Sequence, residues 1–400
     1  MTAVGALDIP ERRRAMGAAA PGFACRVEVV RGREALEALA PQWAALAASC
    51  PEASVFQSPG WARAVFDFEA RRGNRAFEPV IAALHDGSRL VALLPLERIR
   101  TGARRVLVPL GNAFGQYADC LVMPGYEPRP VVAQLLAAAI GAAPADAVSF
   151  LKVRDGSALA RGLPDRRIPT GTAEGAPYVA LDAFADFPAY FQTIKAKTRK
   201  NMRNARNRLE REAPLEHRLA QGPAETLEVI ASTLSGRAER LKDQGLTSRA
   251  FRDAGFSAFC ESLPGRDDLS LMAFSLLHGG RPIARQWGFV HAGRYYAFVA
   301  SRDFSNSDES PGKLHLGEVI RVCAEHGLAG CDLGVPAMPY KLTWATDAVT
   351  VHDYALPVTI KGWLLIQLWD VRIRPALKAL LMRMPAGLRA RALRLVGHGH

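Results

Sequence analysis

The residue types and spacing best suited to chemistry lie between Asp332 and Lys341. Asp332 ends an apolar run that is typical of a strand, and Tyr340 and Lys341 follow the turn Gly334–Pro339, which directs them back towards the strand ends. A carboxylate, a phenol and an amine could serve as base, acid and oxyanion partner when an amine attacks a thioester. We therefore predict Asp332 as a base, Tyr340 as an acid and Lys341 as a partner for an oxyanion or phosphate. A turn residue, a packed ring and a surface charge are the structural alternatives.

Other side chains are candidates for supporting roles. His315 has an intrinsic pKa of about 6.5 and is an alternative base, although a helix histidine is more often structural. Gln286 lies within a predicted strand, where side-chain alternation would let it hydrogen-bond a substrate. Asp303 precedes a polar loop and could face the same cleft. The sequence shows no Ser-His-Asp or Cys-His arrangement, so a covalent mechanism has no positive support.

A strongly basic helix is predicted from Lys195 to Arg211. Arg199, Arg203 and Arg206 are spaced i, i+4 and i+7, so their guanidinium groups share a face and could converge on a phosphate. A solvated charged helix is the structural alternative. Nucleic acid is a weaker alternative, because no aromatic residues alternate with the cations to stack on bases. The basic residues are Lys195, Lys197, Arg199, Lys200, Arg203, Arg206, Arg208 and Arg211.

Another predicted helix begins with Ser310, Pro311, Gly312 and Lys313. Free backbone N–H groups, the helix dipole and the Lys313 amine favour a phosphate or a pantetheine-type ligand at this end. The spacing is not that of a Walker loop. An ordinary serine cap with proline in the first turn is the structural alternative.

The amino-acid composition indicates which classes of protein this chain can belong to. The 400 residues are 49% apolar and 22% charged, which is typical of a globular protein with two domains or one large one. The net charge of +12 favours anionic partners such as phosphates, nucleotides or an acidic membrane surface. The six cysteines are scattered singly, which argues against a zinc site or a disulfide scaffold. Because the sequence shows neither a secretory signal nor a membrane span, we expect a cytoplasmic protein.

The elements that must position these residues form two halves. After a disordered arm at 1–22, the first half is expected at 23–180, with an initial strand, a helix near 34–48 and another that begins after Ser58. Four apolar runs, read as consecutive strands, and one further helix follow. A stretch rich in proline, glycine and threonine at 164–177 is expected to connect the halves.

The second half is expected at 181–358. It begins with a long helix at about 187–210, followed by helices at about 224–242 and 249–262. Three strands joined by glycine-containing hairpin loops come next, then the helix headed by Ser310 and the strand before the proline-rich turn. The predicted class is therefore α/β (α+β), with a mixed, mostly antiparallel sheet and flanking helices in each half.

The last segment, 359–400, is predicted to form basic amphipathic helices. From Lys361 onwards it has eight Lys or Arg residues and one acid, Asp370, together with a cluster of leucine and tryptophan. Such a composition suits contact of 361–396 with an anionic membrane surface, at about 1 kcal/mol per basic residue. A helix packed on the domain is an equal alternative.

Specific strings in the second half resemble a known superfamily. IKAKTRKNMRNARNRLEREAPLEHRL, from Ile194, resembles the basic helix that opens the second domain of Fem-type aminoacyltransferases and that of bacterial acetyltransferases for cellulose and exopolysaccharide biosynthesis. RPIARQWGFVHAGRYYAFVASRDF and SPGKLHLGEVIRVCAEHGLAGCDLGVPAMPYKLTW are similar to the acetyltransferase branch, which ends in a Tyr-Lys-x-x-Trp element. The ordered match covers about 194–344, whereas the first half matches only loosely, through SPGW at 58–61 and its layout.

The resemblance implies tandem GNAT-like domains, the first degenerate, with acyl transfer in a cleft formed mainly by the second. Acyl-CoA or acetyl-CoA would be the co-substrate, without a metal, and Trp344 would belong to the residues that bind substrate or cofactor. The family often has an acidic or Arg-Gly string before Tyr-Lys. Gly334–Pro339 departs from it, so acceptor specificity is expected to differ.

We therefore expect an acyl-CoA-dependent N-acyltransferase that acts on an envelope precursor, such as a nucleotide- or lipid-linked amino sugar for an exopolysaccharide. One alternative is N-acylation of an amino lipid such as a sphingoid base. A second is a degenerate GNAT fold that binds a cyclic dinucleotide or another anionic regulator, and a third is a Fem-like transferase that uses aminoacyl-tRNA. The expected location is the cytoplasm, including the inner face of the inner membrane if the tail contacts lipid.

Overall fold

A computed structural model describes residues 25–243, 249–302, 311–373, 375–377 and 380. The predictions for the N-terminal arm 1–22, for Asp303, for Ser310 and for the end of the basic tail lie outside these residues. The strands are β1 (Cys25–Val30), β2 (Pro79–Asp86), β3 (Arg89–Thr101), β4 (Arg104–Pro109), β5 (Leu121–Val122), β6 (Ala147–Arg154), β7 (Ile168–Pro169), β8 (Glu174–Ala180), β9 (Leu215–Leu219), β10 (Ser270–His278), β11 (Arg281–His291), β12 (Arg294–Arg302), β13 (Gly330–Asp332) and β14 (Asp347–Pro357). The helices are α1 (Arg33–Ala48), α2 (Pro59–Arg71), α3 (Pro128–Ala142), α4 (Ala158–Gly162), α5 (Phe187–Thr193), α6 (Ala196–Glu212), α7 (Gly222–Asp243), α8 (Arg249–Arg252), α9 (Phe256–Glu261), α10 (Pro311–Glu325), α11 (Pro339–Leu342) and α12 (Ile360–Leu365), which continues as a π-helix over Ile366–Ile373.

These strands form one sheet. Its main path runs β1-β2-β3-β4-β6-β14-β8-β13-β12-β11-β10-β9, and β5 and β7 pair with β3 and β14 beside it. Neighbouring strands are antiparallel, except that β4 lies parallel to β6 and β12 parallel to β13. The predicted class, a mixed and mostly antiparallel sheet flanked by helices, is confirmed.

The order of the strands contains an internal repeat. From one edge, β1 to β4 are antiparallel, β6 is parallel to β4, and β14 is antiparallel to β6. From the other edge, β9 to β12 are antiparallel, β13 is parallel to β12, and β8 is antiparallel to β13. The two series meet where β8 pairs with β14.

The repeat joins the halves by exchanged strands. β14 follows the second half in the sequence but closes the series of the first half, next to β6. β8 follows the first half but closes the series of the second, next to β13. The sheet is therefore continuous across position 180, and the expected domain boundaries stay a prediction.

Helices cover both faces of the sheet. Because side chains alternate along a strand, the adjacent Tyr295 and Tyr296 of β12 belong to different core clusters. Tyr295 packs with residues of α5 and α10. Tyr296 packs with α7, α9 and the first half, where the rings of Phe56, Phe289 and Phe298 lie 5.2–6.2 Å apart. The aromatic core between the halves thus shares residues of both.

Local signals in the sequence fix several element ends as predicted. Ser58 caps α2, since its hydroxyl oxygen accepts from the backbone N–H of Trp61 at 3.1 Å, and Pro59 is the first helical residue. The hairpin loop between β10 and β11 holds Gly279 and Gly280 at φ +57° and +77°, the left-handed region that glycine tolerates.

Other predicted elements need correction. The long helix at 187–210 is two helices, because Ile194 and Lys195 are not helical and have ψ near +136° and +130°. The guanidinium of Arg199 stabilises this break by donating to the carbonyl oxygens of Gln192 and Ile194. The helix at 249–262 is likewise divided into α8 and α9. The strands β6, β7, β8, β9 and β14 were not predicted.

Candidate active site

The parallel strands β12 and β13 separate at Asp332. They pair over three positions, Arg294 with Gly330, Tyr295 with Cys331 and Tyr296 with Asp332. β13 ends there, whereas β12 continues for six residues to Arg302 and carries an irregularity in its register with β11 at Phe298. Among the strands described, residues 297–302 have no neighbour on the β13 side. The backbone groups of 299–301 on this side can therefore hydrogen-bond a ligand.

Asp332 lies at the point of separation and connects the two halves. Its Oδ1 accepts from the Tyr117 hydroxyl at 2.8 Å and from the backbone N–H of Gly334 at 2.8 Å. Its Oδ2 accepts from Nη1 of Arg154 at 3.1 Å. Tyr117 follows β4 and Arg154 ends β6, so the first half supplies two of the three donors.

The charges in this network are paired. Asp332 is 5% exposed, and the side chain of Arg154 is 16% exposed. Burial is the largest influence and lowers the pKa of Arg154, but attraction to Asp332, with smaller effects of Tyr117, Tyr296 and Glu52, together outweighs it, so the net pKa is raised. Burial, followed by the charge of Asp332, holds the pKa of Tyr117 well above its usual value. With three donors on its carboxylate, Asp332 is poorly placed to take a proton from a substrate, and the geometry favours a positioning role.

Gln116 reaches into the opening between the separating strands. Its Nε2 lies 3.4 Å from the carbonyl oxygens of Ala297 and Phe298 of β12. A Cβ built on Gly334, which has φ +70°, would lie 3.4 Å from Oε1 of Gln116. The side chain of a loop in the first half thus lies between β12 and the turn after β13.

Lys341 lies on α11, which the turn after β13 brings back to the same place. Its Nζ donates to the carbonyl oxygen of Gly334 at 2.7 Å. Burial lowers its pKa to about 8, with further lowering by Lys152 and Arg237, while Asp332 acts in the opposite direction. A lysine with this pKa is partly neutral near physiological pH and can exchange protons.

Tyr340 precedes Lys341 and is 36% exposed. Burial raises the pKa of its phenol, while the charges of Arg237, Arg240 and Arg302 oppose this rise. Arg237 and Arg240 belong to α7, and Arg302 ends β12. Tyr340 therefore faces a cationic region between α7 and the free part of β12.

His315 does not share this site. It is 2% exposed, and burial followed by the charge of neighbouring His217 puts its pKa well below 6.5. The rings of His217 and His315 lie 5.2 Å apart, between β9 and α10. Within the described part of the chain, their nitrogens have no hydrogen-bond partner. The alternative assignment of His315 as base is therefore not favoured, because an enclosed ring cannot reach a substrate.

Gln286 and Trp344 are core residues rather than exposed binding residues. Nε2 of Gln286, which is 6% exposed, donates to the Tyr295 hydroxyl at 3.3 Å. Trp344 is 1% exposed, and its carbonyl oxygen accepts from the Tyr190 hydroxyl. Its ring lies against α10, where a Cβ at Gly317 would come within 2.5 Å of Cζ2. Trp344 thus anchors the end of α11, and its predicted contact with a ligand would be indirect.

The arginines of α6 do not converge. Arg199 binds the end of α5, and Arg206 pairs with Glu318 of α10 and with Glu210. Arg203 and Lys197 are exposed. The predicted phosphate site of three guanidinium groups is therefore corrected, because two of the three hold neighbouring elements.

The start of α10 retains the features that suggested an anion site. Lys313 is exposed and Gly312 is half-buried, with its Cβ position 3.3 Å from Cδ of Arg302. This end of α10 therefore lies beside the end of β12. The proposed ligand contacts of Gly312 and Lys313 stay a prediction.

Sequence reasoning missed Gln116, Tyr117 and Arg154. Gln116 and Tyr117 lie in a loop whose residue types suggest no chemistry. Arg154 ends an apolar strand in a half that was interpreted as degenerate. The one sequence signal that could have indicated Arg154 is its position, a charged residue at the end of an apolar run.

No group of three or more His, Cys, Asp or Glu residues that could hold a metal ion occurs in the ranges that the structure covers.

Comparison with known proteins agrees with this arrangement. Residues 196–342 match the family model described as an acetyltransferase (GNAT) domain. No curated protein matches the chain. The crystal structure of FemX is similar, with a TM-score of 0.56 and 12% identity, covering 82% of this chain and 98% of that chain.

Two further structures resemble the chain more distantly. A tandem GNAT protein from the clavulanic acid biosynthesis pathway has a TM-score of 0.47 and 12% identity, covering 84% of this chain and 99% of that one. The C-terminal domain of a putative lysylphosphatidylglycerol synthetase from Agrobacterium fabrum has a TM-score of 0.45 and 14% identity, covering 76% and 94%. Both scores are too low to add weight. Residues 196–342 therefore match an acetyltransferase (GNAT) domain, within a larger fold that is similar to that of FemX.

Proposed function

We propose that the chain is an N-acyltransferase that transfers an acyl group from acyl-CoA to an amine by direct attack in a ternary complex. The observation that carries the proposal is Lys341, with a pKa of about 8, beside the opening between β12 and β13. This opening lies inside the segment that matches the GNAT model.

Lys341 would have two roles, as a base and as a partner for the oxyanion. Its neutral form can take a proton from an ammonium acceptor, leaving an amine that attacks the thioester carbon. Its protonated form can then stabilise the oxyanion. The C–N bond forms, the C–S bond breaks, and the second amine proton goes to the thiolate, with Tyr340 as the donor in reach of the cleft. The first proton leaves to solvent.

Asp332 would act through the turn. It holds the N–H of Gly334, whose carbonyl oxygen holds Nζ of Lys341. This chain of contacts replaces the predicted role of Asp332 as a base by a positioning role. Tyr117 and Arg154 extend the support into the first half.

The acyl-CoA co-substrate suits the free part of β12 and the start of α10. Peptide groups at 299–301 could pair with the amide groups of a pantetheine arm, as a strand edge pairs with an extended chain. The exposed Lys313 and the backbone N–H groups at the start of α10 suit phosphates.

For the acceptor we propose an amine joined to phosphate, as in a nucleotide- or lipid-linked amino sugar. The cationic residues Arg237 and Arg240 beside Tyr340 support an anionic acceptor. An amino lipid, an aminoacyl-tRNA donor and binding of an anionic regulator remain alternatives with equal support.

The test is release of free thiol from acetyl-CoA and longer acyl-CoA donors, with a panel of amines that includes a nucleotide-linked amino sugar and a sphingoid base. We expect Lys341→Ala to lower kcat/KM by about 100-fold or more, the usual contribution of a proton-transfer group. Lys242→Ala, the same change at an exposed position of α7, is the matched control and should behave as the parent chain.

Thiol release that is equal in Lys341→Ala and in the parent would refute the assigned role of Lys341. Absence of release with every donor and amine would instead favour a binding protein. Transfer that requires aminoacyl-tRNA would show that the donor is aminoacyl-tRNA rather than acyl-CoA.

A further inference from the structure

The helix that follows β14 is fixed to the first half by one side. Thr359 caps α12, its hydroxyl oxygen accepting from the N–H of Gly362 at 3.0 Å. A Cβ at Gly362 would overlap the carbonyl of Asp146, so glycine permits the close approach. Ile366, 1% exposed, packs into a small core with residues of β6 and β14. This side of the helix is therefore held in a defined orientation.

An ion pair fixes the π-helical continuation. Nη1 of Arg104, on β4, lies 2.7 Å from Oδ2 of Asp370, and the two side chains are only 11% and 16% exposed. Asp370 is the one acidic residue between Lys361 and Gly397, where the sequence has eight Lys or Arg residues. The negative charge of Asp370 is thus compensated by Arg104 of the first half, so it does not compensate the positive charges of its own segment.

The opposite side of the helix is apolar and exposed. Eight of the twelve exposed large apolar side chains among the described residues lie between 360 and 380. They are Ile360, Trp363, Leu364, Leu368, Trp369, Ile373, Leu377 and Leu380, exposed by 43–82%. Such a cluster is unusual on a free protein surface and indicates an interaction site. Every helix within the described ranges is too short or too polar to span a bilayer.

The positive charge of this segment favours an anionic lipid surface over a second copy of the chain as the partner. Nζ of Lys361 donates to the carbonyl oxygen of Ala103 and lies 3.5 Å from Oδ2 of Asp146, so this cation is held on the protein side. Arg372 is exposed, and six further cations follow it in the sequence. A second copy of this chain would bring the same cations together and would be repelled. An anionic lipid surface offers negative headgroups for the cations and an interfacial region for tryptophan and leucine.

We propose that the exposed side of α12 and its π-helical continuation, together with Leu377 and Leu380, is a docking surface for a bilayer that contains anionic lipid. The helix lies in the plane of the headgroups, with Trp363 and Trp369 inserted and Arg104–Asp370 on the protein side. The contact is independent of acyl transfer and holds whether or not the site is an enzyme. It brings the chain to a membrane surface without a spanning segment in the described residues.

Tryptophan fluorescence gives a selective readout. Of the six tryptophans, Trp43, Trp61, Trp287 and Trp344 are at most 1% exposed, whereas Trp363 and Trp369 are 48% and 44% exposed. A blue shift on addition of vesicles therefore reports on these two residues. We expect a blue shift and co-sedimentation with phosphatidylcholine vesicles that contain 30% phosphatidylglycerol (about this share is enough for a strongly negative surface).

The full chain with Trp363→Glu and Trp369→Glu should lose at least 10-fold in affinity for these vesicles. Leu227→Glu, at an exposed leucine of α7, is the matched control and should bind as the parent does. Salt should weaken binding of the parent, because the cations contribute to it. Equal binding of the double variant, or equal binding to pure phosphatidylcholine, would overturn the proposal. The proposal would also be overturned if the parent chain formed a dimer and the double variant did not, because the apolar surface would then bind a second copy.

Discussion

At the residue scale, the site depends on a lysine that is held in place rather than on a free carboxylate. Asp332, Gly334 and Lys341 form a chain of contacts in which each atom has a defined partner. Asp332 also pairs with Arg154, so its charge is compensated inside the protein. Lys341 has no carboxylate hydrogen-bonded to Nζ in the structure as described, and burial therefore lowers its pKa.

The pKa of Lys341 predicts the pH dependence of transfer. In the proposed mechanism the neutral amine is the base, so kcat/KM should rise with pH and level off above about 8. Lys341→Arg keeps the cation but cannot release its proton, and should lose about 100-fold together with this pH dependence. The measurement is kcat/KM from pH 6 to 9.5.

The acceptor should be an alkylamine with a pKa of about 10 or above, which stays an ammonium over this range and therefore needs the base throughout. Lys242→Arg, on α7, is the control for the same exchange at an exposed position. If kcat/KM of the Lys341→Arg variant still changed near pH 8 as in the parent, the group that titrates there would not be Lys341.

At the element scale, α10 packs on β9 and β10 through a pair of buried imidazoles. Burial lowers the pKa of His217 to about 4, with smaller opposing effects of Glu318 and Glu325 and smaller lowering by Arg321 and Arg206. The ring of His217 stacks on Phe274 at 5.8 Å. Both imidazoles are thus neutral in the folded chain at neutral pH, and protonation opposes the packing of α10.

Acid should therefore weaken this packing. The folded pKa of His217 is below its unfolded value, so the unfolded state binds more protons between about pH 6.5 and 4, and stability falls as pH falls. His217→Phe keeps a ring on Phe274 but removes the titration. Relative to its own value at pH 7, the variant should lose about 2 kcal/mol less than the parent at pH 4.5.

The measurement is the free energy of unfolding in denaturant at both pH values. Buried carboxylates with raised pKa, Glu97 at about 7 and Asp119 at about 6, titrate in both chains and cancel in the comparison. Parallel pH curves of parent and variant would exclude a contribution of His217. His278→Phe, at a half-buried histidine that ends β10, controls for loss of a histidine elsewhere.

At the scale of the whole molecule, the two halves depend on each other for closure of the sheet. β14 pairs with β6 on one side and with β8 on the other. Tyr117 and Gln116 of the first half complete the surroundings of Asp332 and β12. The site of the second half is therefore built from the whole chain, although the family match covers 196–342.

Removal of β14 should unfold more than the strand itself. A chain that ends at residue 346 leaves β6 and β8 with free edges, so we expect loss of amide protection in both strands and a lower melting temperature. A chain that ends at residue 358 keeps β14 and is the control. Hydrogen exchange of β6 and β8 and thermal denaturation are the measurements. Unchanged protection of both strands in the shorter chain would show that the halves close independently.

The sequence by itself determined elements whose signals are local. Ser58–Pro59 predicts the start of α2, the glycine pairs predict hairpin loops, and the alternating apolar runs predict β10 to β12, because caps, turns and periodicity depend on neighbouring residues. It also pointed to Lys341 through residue type and through the resemblance of the flanking strings. The fold class followed from the order of these elements.

Tertiary structure alone decided the rest. β8 begins in a segment rich in proline and glycine, and its partners β13 and β14 lie 150 or more positions further along, so no local signal predicts the exchange. From the sequence Arg206 could equally contact a phosphate or an acidic side chain, and only the approach of α10 shows its ion pair with Glu318. The role of Asp332 changed for the same reason. Its donors Tyr117 and Arg154 are distant in sequence, and a carboxylate's role depends on what surrounds it in the folded chain.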